Sequence, residues 1–171
     1  MTIRKPASWI LGMFVLGNLL AAAAHAQNDQ AARMRAALAS ADRSDADKAR
    51  DRVRKPIEII EFLGVEDGMT VLDVIAAGGW YTAVLSSAVG PSGKVYSQNP
   101  QFFLSREGFI EAEQVRNEQL GNVEPIHGEI ADAGIDGQID VAISNQNLHD
   151  LYNGGGEAGA MPLIEGVYDA L

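Results

Sequence analysis
The chain has 171 residues, enough for one domain, and 47% of them are hydrophobic, a globular rather than a disordered composition. It contains no cysteine, which excludes disulfides, thiolate catalysis and cysteine-ligated metal. The formal net charge is −10, and residues 56–171 carry three Lys/Arg against eighteen Asp/Glu, so this body repels a polyanion and argues against a nucleic-acid partner.

Residues 1–26 read as a secretory signal peptide. Arg4 and Lys5 precede an apolar core from Trp9 to Ala24, and Ala24-His25-Ala26 is a small-x-small cleavage site. The core is short for a spanning helix and contains Gly12, Gly17 and Asn18. The mature chain is therefore expected to start at Gln27 and to be periplasmic or secreted in a bacterium. Its contact with a membrane is then limited to this segment during export. Residues 27–55 form a helical N-terminal arm with a break near Ser40–Ser44. They hold eight Lys/Arg against five Asp/Glu. Such a run reads as a solvated helix face, with a lid over a ligand as the functional alternative. Pro56 suits the first turn of the next helix. Ile57, Ile60 and Leu63 give that helix an apolar face, and Gly64 ends it.

The main body opens with a strand over about Thr70 to Ile75. Its apolar run Val71, Leu72, Val74, Ile75 has the length of a buried parallel strand and is interrupted by one acid, Asp73. Ala76 to Gly79 make a small-residue turn, and a helix follows through Val84, Leu85 and Val89. The first N–H groups of that helix point at the turn and favour an anion. An acid opposite an anion-binding helix end fits a ligand with both an amine and a carboxylate, as in an amino-acid moiety. Neither the dinucleotide fingerprint Gly-x-Gly-x-x-Gly nor a phosphate loop ending in Gly-Lys-Ser/Thr is present.

Further along, Lys94 to Ser97 reads as a second strand that runs into Gln98-Asn99-Pro100. A helix is clearest from Phe109 to Leu120. Val123 to His127 reads as the third strand, with His127 an ordinary strand-end residue, and Gly128-Glu129-Ile130 follows. Ile139 to Ser144 reads as the fourth strand, ending at Asn145. Asn153-Gly154-Gly155-Gly156 reads as a flexible loop, and Met161-Pro162 opens a last helix. His149 and Asp150 are adjacent and are not expected to face each other on a helix. His127, Glu129, His149 and Asp150 lack a paired-His spacing, so a metal hydrolase is the weakest reading and no metal is expected.

Two stretches resemble one family. Asp73-Val74-Ile75-Ala76-Ala77-Gly78-Gly79 resembles motif I of the class I S-adenosylmethionine-dependent methyltransferases, strand-Asp-x-Gly-x-Gly-x-Gly-helix. Asp73 falls on the acid and Gly79 on the last glycine. Ile75 and Ala77 stand where the first two glycines do. The segment from Ile139 to Leu151 is similar to that family's fourth strand and the stretch that follows it. The ending Gly78-Gly79-Trp80-Tyr81-Thr82 and the approach Arg50-Asp51 to Arg54-Lys55-Pro56 look like a group of exported predicted methyltransferases.

The resemblance implies an α/β fold. Residues 56–171 would form a Rossmann-like parallel sheet of order 3-2-1-4 with helices on both faces, apparently truncated before the last strands. It implies S-adenosylmethionine as cofactor. Asp73, Ala77, Gly78 and Gly79 would hold the methionine end. Asn99 would take the ribose hydroxyls, and Glu129 with Ile130 the adenine. Asn145 and His149 would line the pocket of a small-molecule methyl acceptor, with His149 the candidate base. Ile75 is expected to resist positive φ, and if the loop keeps its usual path there the pocket is narrowed. A non-catalytic binding protein that keeps the fold is the alternative.

Overall fold
The computed structural model describes residues 28–40 and 43–171. The signal peptide expected over residues 1–26 lies outside them. Helix α1 covers 28–38, followed by α2 (Asp45–Arg54) and α3 (Pro56–Leu63). Then come β1 (Thr70–Val74), α4 (Trp80–Val89), β2 (Lys94–Asn99), α5 (Gln101–Leu104), α6 (Phe109–Leu120) and β3 (Val123–His127). A 3-10 turn at Ile130–Asp132, β4 (Val141–Ser144) and α7 (Leu148–Ala170) complete the described chain.

Local chemistry explains the boundaries. Ser44 caps α2 by accepting from the Asp47 N–H at 3.1 Å. Asp45 and Asp47 sit in the first turn of α2 and Arg52 and Arg54 in its last, which complements the helix dipole. Lys55 then turns left-handed (φ 44), so that Pro56 can open α3 in a new direction.

The four strands form one parallel sheet in the order β3-β2-β1-β4. Val71 pairs in register with Val95 on one side and Val141 on the other. Strand alternation splits the core in two. Val71 and Val95 face a cluster with Met34 of α1, Ile60 of α3 and Val84, Leu85, Ala88 and Val89 of α4. Leu72, Val74 and Tyr96 face the opposite cluster, with Ile126, Ile130, Ile135, Ile139 and Leu163 of α7. The arm is therefore docked on the body. Gln30 Nε2 donates to the carbonyls of Val65 (2.7 Å) and Ala88 (3.1 Å), and Arg33 pairs with Asp67.

Three expectations need correction. β2 extends to Asn99 and β4 starts at Val141 rather than Ile139. Ile139 instead donates its N–H to the Ala170 carbonyl (2.9 Å), and Asp140 is tied to Thr70 by its N–H and its side chain. Asn153 to Gly156 is not a loop. Asn153 to Gly155 continue the first helical segment of α7, the chain leaves helical geometry at Gly156 (φ 60, ψ −149), and a second segment with Pro162 inside it follows, so α7 is two helices meeting at a kink.

Candidate functional site
The C-terminal ends of β1 and β4 lie side by side, since Val74 pairs with Ser144. The turn from Ile75 to Gly79 rises between them and feeds α4. Its backbone follows an alternating left-handed path: Ile75 has φ 56, Ala77 φ 50 and Gly79 φ 74. Left-handed geometry is a true outlier for a β-branched residue. Ile75 adopts it all the same, with its side chain 4% exposed inside the cluster of Val74 and Ile130. The expected resistance is overcome because burial of the isoleucine holds the turn from below.

The turn is fastened by its neighbours. The Ile75 N–H donates to Gln98 Oε1 (3.0 Å), the Ala76 N–H to the Gln98 carbonyl (2.9 Å) and the Ala77 N–H to Asn99 Oδ1 (2.7 Å). The Gly79 N–H closes back on the Ala76 carbonyl (2.8 Å). From the β4 side, Asn147 Nδ2 donates to the Ile75 carbonyl at 3.0 Å. Gly78 is the exposed residue of the turn.

Asp73 does not stand across from the helix end as expected. Strand alternation sends its side chain to the α4 face, where it is 3% exposed and accepts from Thr82 Oγ1 at 2.7 Å. Burial pushes its pKa up from 3.8 to about 6, against the lowering effects of the Thr82 hydroxyl, the Arg116 charge and the Thr82 N–H. Asp73 thus caps the first turn of α4 from below. A ligand at the turn meets backbone, not this carboxylate.

Asn99 is also internal. It is 0% exposed, and its Nδ2 donates to Glu113 Oε1 (2.8 Å) while its Oδ1 holds Ala77. A ribose role would require this fully buried amide to become accessible. Ile130 is buried at 2% in the core, and Glu129 is exposed. Glu129 borders a cleft of about 300 Å³ along β3, with Tyr96, His127 and Asp132, which no residue of the 75–79 turn lines. Asn145 is half-buried at the end of β4. His149 is on the surface, its side chain 61% exposed, with Nε2 at 3.2 Å from Asp150 Oδ1. The two do meet, contrary to the spacing argument, because solvated side chains on a first helical turn can fold toward each other.

Several residues of the site carry no local sequence signal. Gln98 bridges the turn and the Gly128 carbonyl (2.7 Å). Glu113, 2% exposed, also lies 2.6 Å from His127 Nε2. Arg116 lies against Gly79, and burial lowers its pKa. Over the start of α4, the Arg54 guanidinium stacks on Trp80 at 5.0 Å and donates to Gln146 Oε1 at 2.9 Å. Asp51 receives Trp80 Nε1 at 3.0 Å and Arg43 Nη2 at 2.8 Å. The basic end of the arm is thus in contact with the site rather than fully solvated. Among the described residues, no group of three or more His, Asp or Glu is arranged to hold a metal ion.

No family model and no curated protein sequence matches the chain. Solved structures do. A SAM-dependent methyltransferase from Aquifex aeolicus matches with a TM-score of 0.54 at 26% identity, over 67% of this chain and 57% of that one. The fold is the Rossmann-like methyltransferase fold. An arsenic (III) S-adenosylmethionine methyltransferase from Chlamydomonas reinhardtii shares the methyltransferase fold (TM-score 0.53, 24% identity, 81% of this chain and 45% of that one). So does a putative rRNA-methylase from Clostridium thermocellum (TM-score 0.52, 21% identity, 71% of this chain and 63% of that one). The chain spans somewhat over half of the Aquifex protein's length and under half of the algal one.

Proposed function
We infer that the chain binds S-adenosylmethionine at the turn from Ile75 to Gly79 and serves methyl transfer to a small-molecule acceptor. The observation that carries this reading is the left-handed path of Ile75, Ala77 and Gly79. Strain of this kind is kept where the surrounding structure imposes it, and such places cluster at binding sites. Here it sits at the C-terminal ends of parallel strands, where open α/β sheets bind ligands. The bend offers the exposed Gly78 backbone and the start of α4 to the methionine end.

The cofactor supplies an electrophilic methyl group on a sulfonium. The chain contributes positioning and exclusion of water. Arg54 and Trp80 close one side of the turn, and Asn145 stands at the neighbouring strand end, with His149 on the rim. The acidic body favours a cationic ligand. The proposed setting is the periplasm or the exterior, reached through residues 1–26. A Gln27 N-terminus in the protein recovered from the periplasm supports that setting; an intact Met1 counts against it.

Titration calorimetry with S-adenosylhomocysteine tests the reading. Saturable one-to-one binding is expected, followed by transfer of labelled methyl from S-adenosylmethionine to a small molecule. Binding without transfer favours the second reading, a binding protein built on the same fold. The internal engagement of Asn99 and the exposure of His149 speak for that one.

A further inference from the structure
One buried carboxylate joins three strand ends. Glu113 of α6 accepts from Asn99 Nδ2 at 2.8 Å through Oε1, and its Oε2 stands 2.6 Å from His127 Nε2. Asn99 turns its other end to the Ala77 N–H at 2.7 Å. Glu113 and Asn99 are 2% and 0% exposed. Arg116 Nη2, the nearest other charge, is 3.8 Å from Glu113 Oε1.

The chemistry of the chain of bonds gives it a direction. A carboxylate only accepts, so it compels the Asn99 amide to present its NH2 group to Glu113 and its oxygen to Ala77. The reversed amide would aim N–H groups at the N–H of Ala77 and an oxygen at the carboxylate. A charged acceptor also makes the Asn99 bond about twice as strong as a neutral one. Ala77 needs the support, because its left-handed φ of 50 is one that alanine avoids.

We propose that Glu113 is a positioning residue for the cofactor turn: through Asn99 it holds Ala77 in its left-handed conformation and so sets the shape of the binding site. The proposal rests on the methyltransferase reading for its ligand but not for its geometry. It makes Asn99 a strut between α6 and the turn rather than a group for the ribose. It also explains why position 99 carries an amide. An aspartate there would accept from Ala77 yet set a second carboxylate against Glu113, which repels it unless the pair takes up a proton.

The test measures two quantities in the full chain: hydrogen exchange of the Ala77 amide by NMR, and affinity for S-adenosylhomocysteine by calorimetry. Glu113→Ala should speed Ala77 exchange about tenfold or more, leave the sheet amides of Leu72 and Val95 at their wild-type rates, and weaken binding about tenfold. Glu113→Gln keeps an oxygen for Asn99 and should restore both to within about threefold of wild type. Unchanged Ala77 exchange in Glu113→Ala, or a glutamine variant as impaired as the alanine one, overturns the proposal. If wild-type protein does not bind the ligand, the methyltransferase reading fails by itself and the exchange rates still decide the role of Glu113. If Glu113→Ala does not fold, Asn99→Asp should lose Ala77 protection and Asn99→Asp with Glu113→Gln should regain it. A single Asn99→Asp variant with full protection also overturns the proposal.

Discussion

The guanidinium of Arg116 lies against the Cα of Gly79: a Cβ built on that glycine would stand 2.3 Å from the Arg116 carbon Cζ. Gly79 also has φ 74. Two independent constraints, backbone handedness and close approach, thus meet at one residue. Gly79→Ala is expected to destabilise the protein by about 2 kcal/mol, from left-handed strain plus displacement of a buried cation. Gly78→Ala, with open space around it and no positive φ, should change stability by less than about 1 kcal/mol. Urea unfolding of the two variants checks the contrast.

Ala77 and Ile75 share the left-handed geometry but not the response to relief. Ala77 is half-buried and has little side chain to lose. Ala77→Gly removes the strain of roughly 1–2 kcal/mol and adds unfolded-state freedom of about 0.4–1 kcal/mol, so a net gain of up to about 1.6 kcal/mol is expected. Ile75→Gly forfeits a side chain only 4% exposed in the core. It should cost about 1–3 kcal/mol net, because the lost burial outweighs the relieved strain. Thermal melts of both variants should move in opposite directions.

Asp73 makes stability depend on pH with a definite sign. Its carboxyl is raised from 3.8 in the free residue to about 6 in the fold. The folded state therefore holds its proton more tightly than the unfolded one. The stability this lends is fully present below the unfolded pKa and is lost as pH rises through about 6. A shift of this size corresponds to about 3 kcal/mol between acidic and neutral pH. Asp73→Asn, which cannot ionise, should flatten that part of the profile, as denaturant midpoints at pH 4.5 and 7.5 will show.

The layer between β2 and α6 is polar and incompletely paired. Among the described residues, the buried side-chain atoms without a hydrogen-bond partner are Ser97 Oγ, Asn117 Nδ2 and Arg116 Nη2, the last of which is ion-paired with Glu113 at 3.8 Å. Ser97 pairs across the sheet with Asp73. A buried hydroxyl without a partner costs about 1–3 kcal/mol, so Ser97→Ala should raise the melting temperature, where a typical core substitution lowers it.

Much of the fold was legible in the sequence, because β1 and β4 are short apolar runs and all four strands are bounded by turn residues. Val71 to Ile75 and Val123 to His127 gave both element type and approximate bounds. The bend after Asp73 was legible from its small residues. Its strain was legible too, since Ile75 is a poor left-handed residue wherever it stands. The partners of the bend were not. Gln98, Glu113 and Arg116 act across elements, and a bond between α6 and β2 leaves no trace in local periodicity. The place of Asp73 at a strand end is visible in the sequence, and alternation with Val71 sets its face, but that Thr82 and Arg116 wait there to engage it is not. His127 looks in the sequence like an ordinary strand-end residue, yet it pairs with Glu113, which lies 14 positions before it. The Gly154 to Gly156 stretch marks a real break, but a narrower one than a loop: only Gly156 leaves helical geometry, between two helical segments.

The bend after β1 is the place where an S-adenosyl nucleoside is expected to sit. Amide NMR spectra of the labelled protein, recorded while S-adenosylhomocysteine is added, address that directly. Saturable shifts at Ala77, Gly78, Gly79 and Trp80, with smaller ones at Asn145 and Gln146, are predicted. A folded protein whose amides at 77–80 stay in place up to millimolar ligand, or move only along the β3 cleft, would contradict it.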